Sequence, residues 1–161
     1  MRVRDFMTKS VVFCRPDTNL AAAAALMWDK DCGTLPVVGD GGRVTGMITD
    51  RDICVALGTR NKLASELRVR DVTSGHTQAC HPDDEIHSAL KTMREGQVRR
   101  LPVVNHAGTL EGILCLDEVV LLAQHWDGAK RPGVSYEDVV NTLRAICRRH
   151  TQPKGGWSRA A

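Results

Sequence analysis

Short apolar runs of strand length alternate along this chain with longer segments of helical character. The runs at 35–38 and 101–104 both read Leu-Pro-Val-Val, and a glycine-bearing turn separates each from a second apolar run. Two such runs around a turn are typical of a β-hairpin. The pattern predicts the same five elements twice. The first set is an extended segment at 11–14, a helix at about 18–30, strands at 35–38 and 43–49, and a closing helix from Arg51. The second set is an extended segment at 77–80, a helix at about 84–95, strands at 101–104 and 109–115, and a closing helix from Asp117.

A Pro-Asp pair marks the start of the first helix in each set. Asp17 and Asp83 both follow a proline directly after the extended segment. Aspartate is a favoured helix N-cap, because its carboxylate accepts a hydrogen bond from a free backbone N–H group. We therefore expect these two aspartates to cap their helices.

The two sets of elements are copies of one unit. Residues 3–54 align without gaps to residues 69–120, at an offset of 66, and fourteen pairs are identical. Chance would give roughly three identities, so the repeat is real. One β-α-β-β-α unit buries little of its sheet, whereas two units can pack sheet against sheet. The predicted fold class is therefore α/β (α+β): two β-α-β-β-α repeats related by a pseudo-twofold axis, with two equivalent clefts between them.

The first predicted helix is apolar on every side. Its sequence LAAAAALMW carries no charge between Leu20 and Trp28. Helices of this kind are usually buried all round. Two explanations stay open: the helix is enclosed within its own chain, or its small side chains pack against a second copy in a homodimer.

A further helix is predicted after the repeats. The motif Ser135-x-x-Asp138 resembles a capping box, and apolar residues recur after it at helical spacing, namely Val139, Leu143, Ile146 and Cys147. The predicted divisions of the chain are repeat 1 at 1–66, repeat 2 at 67–124, a Gly- and Pro-containing linker at 125–134, an amphipathic helix at 135–150 and a disordered tail at 151–161.

Cysteine usage and hydropathy narrow the class of protein. The six cysteines are scattered, without a CxxC pair, and the nearest histidines, His76 and His81, have no paired ligand at the short spacing of a zinc site. This argues against a zinc site and for small buried residues in a reducing compartment. The longest apolar run, Leu20–Trp28, has nine residues, against roughly 20 for a membrane span. The N-terminus also lacks the apolar stretch of a signal peptide, so we expect a cytoplasmic protein.

Charge is distributed unevenly along the chain. The net charge is +3, of which residues 124–161 carry +4 and the remainder carries −1. A basic tail can contact nucleic acid or acidic partners. No aromatic residues are interleaved with these charges as a stacking surface requires. A solubilising surface is therefore favoured over a nucleic-acid partner.

The paired units, the Leu-Pro-Val-Val strands, the glycine turns and the sequence GMITDRDI together resemble a tandem pair of cystathionine-β-synthase (CBS) domains, often called a Bateman module. The resemblance covers residues 1 to about 124. It implies a stand-alone regulatory protein that binds an adenosine-containing ligand, such as AMP, ADP, ATP, S-adenosylmethionine or NAD, between the repeats. It does not imply an enzyme, and no nucleophile–base pair or metal cluster appears at motif spacing.

The first repeat carries the complete ligand motif of that family. The motif reads Gly46-Met47-Ile48-Thr49-Asp50-Arg51-Asp52. The carboxylate of Asp52 can accept two hydrogen bonds from vicinal ribose hydroxyls, and the N-terminus of the helix behind Thr49 favours an anion. The same two residues can also be a simple helix cap with an acidic first turn. Spacing alone favours the cap, whereas the repeat and the resemblance favour a ligand.

The second repeat departs from the motif. Cys115 stands where the first repeat has Thr49, and Glu118 stands where it has Asp52. A thiol is a weak hydrogen-bonding group, and the longer glutamate places its carboxylate differently. We therefore expect a weaker second cleft, whose candidate residues are Arg15, Ile113, Cys115 and Glu118.

Two arginines suggest that the ligand is phosphorylated. Arg99 and Arg100 precede the Leu-Pro-Val-Val strand of the second repeat, where the family often contacts phosphate. Guanidinium binds phosphate bidentately, which favours AMP, ADP or ATP over S-adenosylmethionine, although neighbouring residues on a strand point to opposite faces. The resemblance completes the Asp52 cleft with Met47, His81, Ile86 and Val98, of which the apolar residues would sandwich adenine.

The leading interpretation is an adenine-nucleotide sensor that signals to an unknown protein partner. One alternative is a ligand-free structural or dimerisation module, in which Thr49 and Asp52 only cap a helix. Another is a nucleic-acid-binding accessory that uses the basic tail.

Overall fold

The computed structural model describes residues 1–73, 75, 77–125 and 133–148. The predicted strands and helices are present in this part of the chain. The strands are β1 (Thr34–Val38), β2 (Val44–Thr49), β3 (Arg100–Val104) and β4 (Leu110–Cys115). The helices are α1 (Leu20–Asp29), α2 (Asp50–Arg60), α3 (Ile86–Gly96), α4 (Leu116–Leu122) and α5 (Tyr136–Cys147).

Each repeat contains one antiparallel hairpin in the same register. Leu35 lies opposite Ile48 in the first hairpin, and Leu101 lies opposite Leu114 in the second. All four side chains are fully buried, because alternate residues of each strand face the helices. The extended segment before each first helix is shorter than predicted: it contributes a single parallel bridge, from Cys14 to β1 and from Cys80 to β3. The predicted fold class is confirmed.

The prediction that Asp17 and Asp83 cap the first helices is wrong. Asn19 caps α1, where its side chain accepts a hydrogen bond from the N–H of Ala22, and α3 has no side-chain cap. The two aspartates form ion pairs across the repeats instead, Asp17 with Arg70 and Asp83 with Arg4. Both helices begin later than the Pro-Asp pair, so the carboxylates are free to pair with the arginines.

The two repeats exchange their entry segments. Val3 and Phe6, at the start of the chain, are buried in the hydrophobic core of the second repeat. Leu67 and Val69, which precede the second repeat, are buried in the core of the first. Arg4 and Arg70 lie in these two segments, and each forms its ion pair with an aspartate of the other repeat. The exchange is therefore reciprocal and follows the internal symmetry.

The turns of the two hairpins meet each other. The N–H of Val44 donates to the carbonyl of Gly108 at 3.0 Å, and Arg43 forms an antiparallel bridge with Thr109. Gly108 has a φ of +81°, in the left-handed region that glycine adopts without strain. The repeats are therefore joined at the turn ends of their hairpins as well as by the exchanged segments.

Helix α1 is not enclosed by its own chain in the described structure. It buries Leu20, Ala23 and Met27, but Trp28 is 86% exposed. Among the described residues no element covers its outer face, so the alternative that these residues sandwich α1 within the chain is wrong. An interface with a second copy stays a prediction.

Helix α5 packs mainly against α3 of the second repeat. Val139 and Ile146 are buried there, and Arg94 donates to the hydroxyl of Thr142 at 3.1 Å. The predicted capping box between Ser135 and Asp138 is present. The predicted apolar face is partly wrong, because Leu143 and Cys147 are exposed and Thr142 takes a buried position. Residues 149–161, including the predicted tail, lie outside the described residues, as do 126–132 of the predicted linker.

The cysteines are only partly the small buried residues that were expected. Cys14, Cys80 and Cys115 are buried and Cys32 is half-buried, whereas Cys54 and Cys147 are exposed. No disulfide joins any of them.

In the described ranges, none of the helices has both the length and the apolar character that crossing a membrane requires.

Candidate functional site

The ligand motif of the first repeat lies where β2 ends and α2 begins. Thr49 is the last residue of β2 and the N-cap of α2. Its hydroxyl donates to Oδ2 of Asp52 at 2.7 Å and accepts from the N–H of Asp52 at 3.1 Å. The N–H of Thr49 donates to the same Oδ2 at 2.9 Å. Thr49 and Asp52 therefore form a complete capping box, as expected if they cap the helix.

The capping box does not use the whole carboxylate of Asp52. Its hydrogen bonds all go to Oδ2, and Oδ1 accepts none from the described residues. Asp52 and Thr49 are both half-buried. The box therefore fixes the orientation of the carboxylate, while a second oxygen with two acceptor positions stays available.

The corresponding site of the second repeat has a different arrangement. Cys115 precedes α4 without making a side-chain cap. Oε1 of Glu118 accepts a long hydrogen bond, 3.4 Å, from the hydroxyl of Thr8 in the exchanged entry segment. Oε2 of Glu118 is buried and has no hydrogen-bond partner among the described residues. A buried, unpaired carboxylate oxygen is unfavourable by about 1–3 kcal/mol, so this site holds an acceptor that a donor group would stabilise.

The Cys115 thiol is held in its neutral form. Its pKa is raised to about 12, mainly by burial and then by the negative charge of Glu118, while the nearby guanidinium of Arg100 opposes both effects. The thiolate is the nucleophilic form of cysteine. Cys115 is thus an unreactive thiol in the place of the Thr49 hydroxyl.

Arg100 lies with the motif of its own repeat. It pairs across the hairpin with Cys115, and its Nη2 is 3.7 Å from Oδ2 of Asp117. The structure gives it no hydrogen bond or ion pair to Thr49 or Asp52, the cleft to which the sequence assigned it. Arg99 is exposed, and its carbonyl accepts the N–H of Leu116 at 2.9 Å. The structure therefore brings Arg100 together with residues predicted for the weaker cleft.

His81 lies at the other end of β3 from Arg100. Its Nδ1 is 2.8 Å from the carbonyl oxygen of Val104, and its ring is 5.1 Å from that of His106 in the turn. Four residue steps of about 3.3 Å separate the two ends of this strand. Arg15 lies at the turn end of the first hairpin in a similar way, where it donates to the carbonyl of Gly39 at 3.3 Å. Among the described residues, no side-chain hydrogen bond joins either residue to the motif with which it was grouped, and their roles as ligand contacts stay predictions.

The predicted apolar contacts differ in how accessible they are. Ile86 has no exposed surface and belongs to the core of the second repeat, so in this conformation it can support a cleft but cannot touch a ligand. Val98 packs against the same core and is partly buried. Met47 is half-buried on β2, and Ile113 is buried beside Thr8, with which it exchanges two backbone hydrogen bonds. Their roles as ligand contacts stay predictions.

Surface hollows lie elsewhere on the molecule. One, of about 440 Å³, lies at the exchanged entry segment, and another, of about 390 Å³, lies between α1 and α2. Neither is lined by Thr49 or Asp52. In the described part of the chain, no group of three or more His, Cys, Asp or Glu side chains is arranged to hold a metal ion.

Sequence reasoning missed the part that Thr8 plays. The reciprocal exchange brings the N-terminal segment to β4, where Thr8 contacts Glu118. The clue in the sequence was the repeated Val-Arg-Asp segment at 3–5 and 69–71. Each copy of this segment precedes the helix and the hairpin of its own repeat, and it packs in the core of the other repeat.

The chain thus consists of two symmetric α/β units that exchange their entry segments. Each unit carries its motif where its second strand meets its closing helix. The chain belongs to the CBS domain family. The sequence model of the CBS domain matches residues 3–59 and 69–124, which also confirms the resemblance found in the sequence.

Relatives of known name share most of this module. The CBS domain-containing protein YhcV of Bacillus subtilis is 29% identical over 139 residues, which cover 85% of this chain and 97% of that protein. Hypoxic response protein 1 of Mycobacterium tuberculosis is 36% identical over 107 residues, which cover 63% of this chain and 71% of that protein. A crystal structure of CBSX2 in complex with AMP is similar with a TM-score of 0.65 and 29% identity, covering 74% of this chain and 93% of that one.

Proposed function

We propose that this chain is a regulatory module that binds an adenine nucleotide, AMP, ADP or ATP, in the cleft between its two CBS repeats. The observation that carries the proposal is the ordered pair of Thr49 and Asp52, held in a complete family motif with one carboxylate oxygen available. The 29% identical CBSX2, crystallised with AMP, supports an adenine nucleotide as the ligand. S-adenosylmethionine and NAD are the competing ligands to be tested.

In this proposal the ribose is bound by Asp52. Its Oδ1 accepts from a ribose hydroxyl, while Oδ2 keeps the capping box intact. The Thr49 hydroxyl already donates to Asp52, so it presents its remaining lone pair to the ligand. The N-terminus of α2 favours a negative charge nearby, which suits a phosphate.

Arg99 and Arg100 are the proposed phosphate contacts. Arg99 is exposed. Arg100 must leave Asp117, but that ion pair is long and its two side chains are 36% and 77% exposed. Exposed ion pairs of this kind contribute about 0–1 kcal/mol, so a phosphate can displace Asp117 at little cost.

The second cleft is proposed to bind more weakly. The neutral thiol of Cys115 replaces a hydroxyl, and the carboxylate of Glu118 is already contacted by Thr8. The buried Oε2 of Glu118 could still accept one ligand hydroxyl. Occupancy of this cleft at high nucleotide concentration is therefore compatible with the proposal.

The remaining expectations are part of the proposal. A change in nucleotide occupancy would be read by an unidentified protein partner. Six cysteines without a disulfide favour a reducing compartment and hence the cytoplasm. A homodimer is also expected, and the exposed outer face of α1 is one candidate contact surface for it.

Thermal unfolding with added nucleotides tests the proposal. A ligand at about 100 times its dissociation constant should add roughly 2.7 kcal/mol to the free energy of unfolding. We expect this gain with AMP, ADP or ATP and its loss in Asp52→Ala, because the ribose acceptor is gone.

The matched control is Asp138→Ala. Asp138 occupies the same capping-box position on α5 that Asp52 occupies on α2. Both variants should therefore lose about 1 kcal/mol of stability in the absence of ligand. Only Asp52→Ala should also lose the response to nucleotide. An unchanged response in Asp52→Ala would contradict the proposed site.

A further inference from the structure

Helix α5 has two apolar stripes, of which its own chain covers only one. The covered stripe consists of Val139, Thr142 and Ile146, which are buried against the second repeat. The other stripe consists of Tyr136, Val140, Leu143 and Cys147, all of which are exposed. Tyr136 is 55% exposed, Val140 51% and Leu143 41%. A helix with apolar residues on two sides usually has neighbours on both.

The exposed stripe has the spacing of a helix–helix seam. Its residues are separated by four, three and four positions, the alternation found at the a and d positions of coiled coils. In an antiparallel pair of two α5 helices, Val140 would face Leu143 of the second copy, and Tyr136 would face Cys147. The stripe is therefore complementary to itself.

Charges beside the stripe match the same arrangement. Glu137 and Arg144 lie seven residues apart on α5, so they follow the same flank of the stripe. When two copies pair in antiparallel orientation, Glu137 of each lies near Arg144 of the other. Two opposite-charge pairs result, whereas in a parallel pair this flank of the two helices lies on opposite sides of the seam, so neither charge pair forms. Flanking charges of this kind set partner choice and orientation.

The end of α4 extends this surface. The N–H of Tyr136 donates to the carbonyl of Gln124 at 3.2 Å, and the ring of Tyr136 lies 6.5 Å from that of His125. Leu121 and Leu122, just before this point, are also exposed. One short helix pair alone is small beside the ~1,000 Å² that a stable interface needs, and these leucines enlarge it.

The outer face of α1 offers less specificity. Apart from Trp28 and the terminal Asp29, the exposed residues of α1 are alanines. They include no pair of opposite charges that would select an orientation. The α1 face is therefore the competing explanation that the experiment must exclude.

We propose that a second copy of this chain docks on the exposed α5 stripe, in an antiparallel α5–α5 pair centred between Val140 and Leu143 and oriented by Glu137 and Arg144. This pairing places the homodimer contact on the helix that follows the CBS repeats. It does not depend on nucleotide binding, so either proposal can fail without the other.

Sedimentation velocity of the full chain over a range of concentrations tests the pairing. The wild type should be a dimer, and Val140→Glu should be a monomer, because two carboxylates would be buried beside Leu143 of the other copy. Glutamate is a good helix former, so an unchanged melting temperature and helical circular dichroism should accompany the loss. Trp28→Glu is the matched control, since Trp28 is 86% exposed on α1, the competing surface.

Charge reversal tests the orientation. Glu137→Arg alone and Arg144→Glu alone should each weaken the dimer about tenfold, and the double variant should restore the wild-type dissociation constant. A monomeric wild type, or loss of the dimer in Trp28→Glu but not in Val140→Glu, would overturn the proposal. So would a dimer that forms only when residues 151–161 are removed, because the chain's own tail would then cover the stripe.

Discussion

The most informative single residues are those at which the two repeats differ. Thr49 and Cys115 occupy equivalent positions, each preceding the closing helix of its repeat. The hydroxyl caps α2, whereas the thiol makes no cap on α4. The same difference between the repeats therefore changes both the helix cap and the group offered to a ligand.

Exchanging these two residues should shift stability in opposite directions. Thr49→Cys removes an N-cap and should lower the free energy of unfolding by about 0.5–2 kcal/mol. Cys115→Thr should raise it, by at most a similar amount, because the hydroxyl can accept the free N–H of Glu118. Urea denaturation of the two variants measures both changes. A loss of stability in Cys115→Thr would show that burial of the hydroxyl outweighs the new cap.

At the scale of elements, α5 is attached to the second repeat through Asp138. Burial alone would raise the pKa of Asp138, but hydrogen bonds from Ser135 and the charge of His87 outweigh burial and lower the pKa below its ordinary value of 3.8. The carboxylate accepts from Ser135 at 2.8 Å and lies 3.3 Å from Nε2 of His87 on α3. The ionised carboxylate therefore stabilises both the start of α5 and its contact with α3.

This arrangement predicts a dependence of stability on pH. Because the pKa of Asp138 is lower in the folded chain than its ordinary value of 3.8, its contribution is present above pH 3.8 and is lost as the pH falls through the lower folded value. The difference in melting temperature between wild type and Asp138→Asn should therefore shrink between pH 5.5 and 2.5. A difference that stays constant over this range would mean that the charge of Asp138 does not stabilise α5.

Local pattern was sufficient to predict these elements but not their surroundings. The Leu-Pro-Val-Val runs and the glycine-bearing turns after them predicted the hairpins, since a short apolar run bounded by turn residues indicates a buried strand. The apolar character of α1 could not show which of its sides is exposed, because that depends on what packs there. For the same reason, Leu143 and Thr142 of α5 exchanged their expected places.

At the scale of the whole molecule, internal symmetry was the strongest source of prediction. The offset of 66 residues predicted two units and two equivalent motifs. It did not show which groups meet across the repeats, because contacts such as Thr8 with Glu118 depend on the exchange of entry segments. The positions of Arg100 and His81 at opposite ends of β3 follow from strand register, which the composition of the motifs does not reveal.

A crystal of the full chain soaked with AMP tests the central claim most directly. We predict that electron density for the nucleotide lies between the repeats, with a ribose hydroxyl within hydrogen-bonding distance of Oδ1 of Asp52 and the capping box with Thr49 unchanged. Density for AMP only in the hollow lined by Arg4 and Lys9, or none beside Asp52 at saturating AMP, would contradict it. In that case Thr49 and Asp52 would serve only to begin α2.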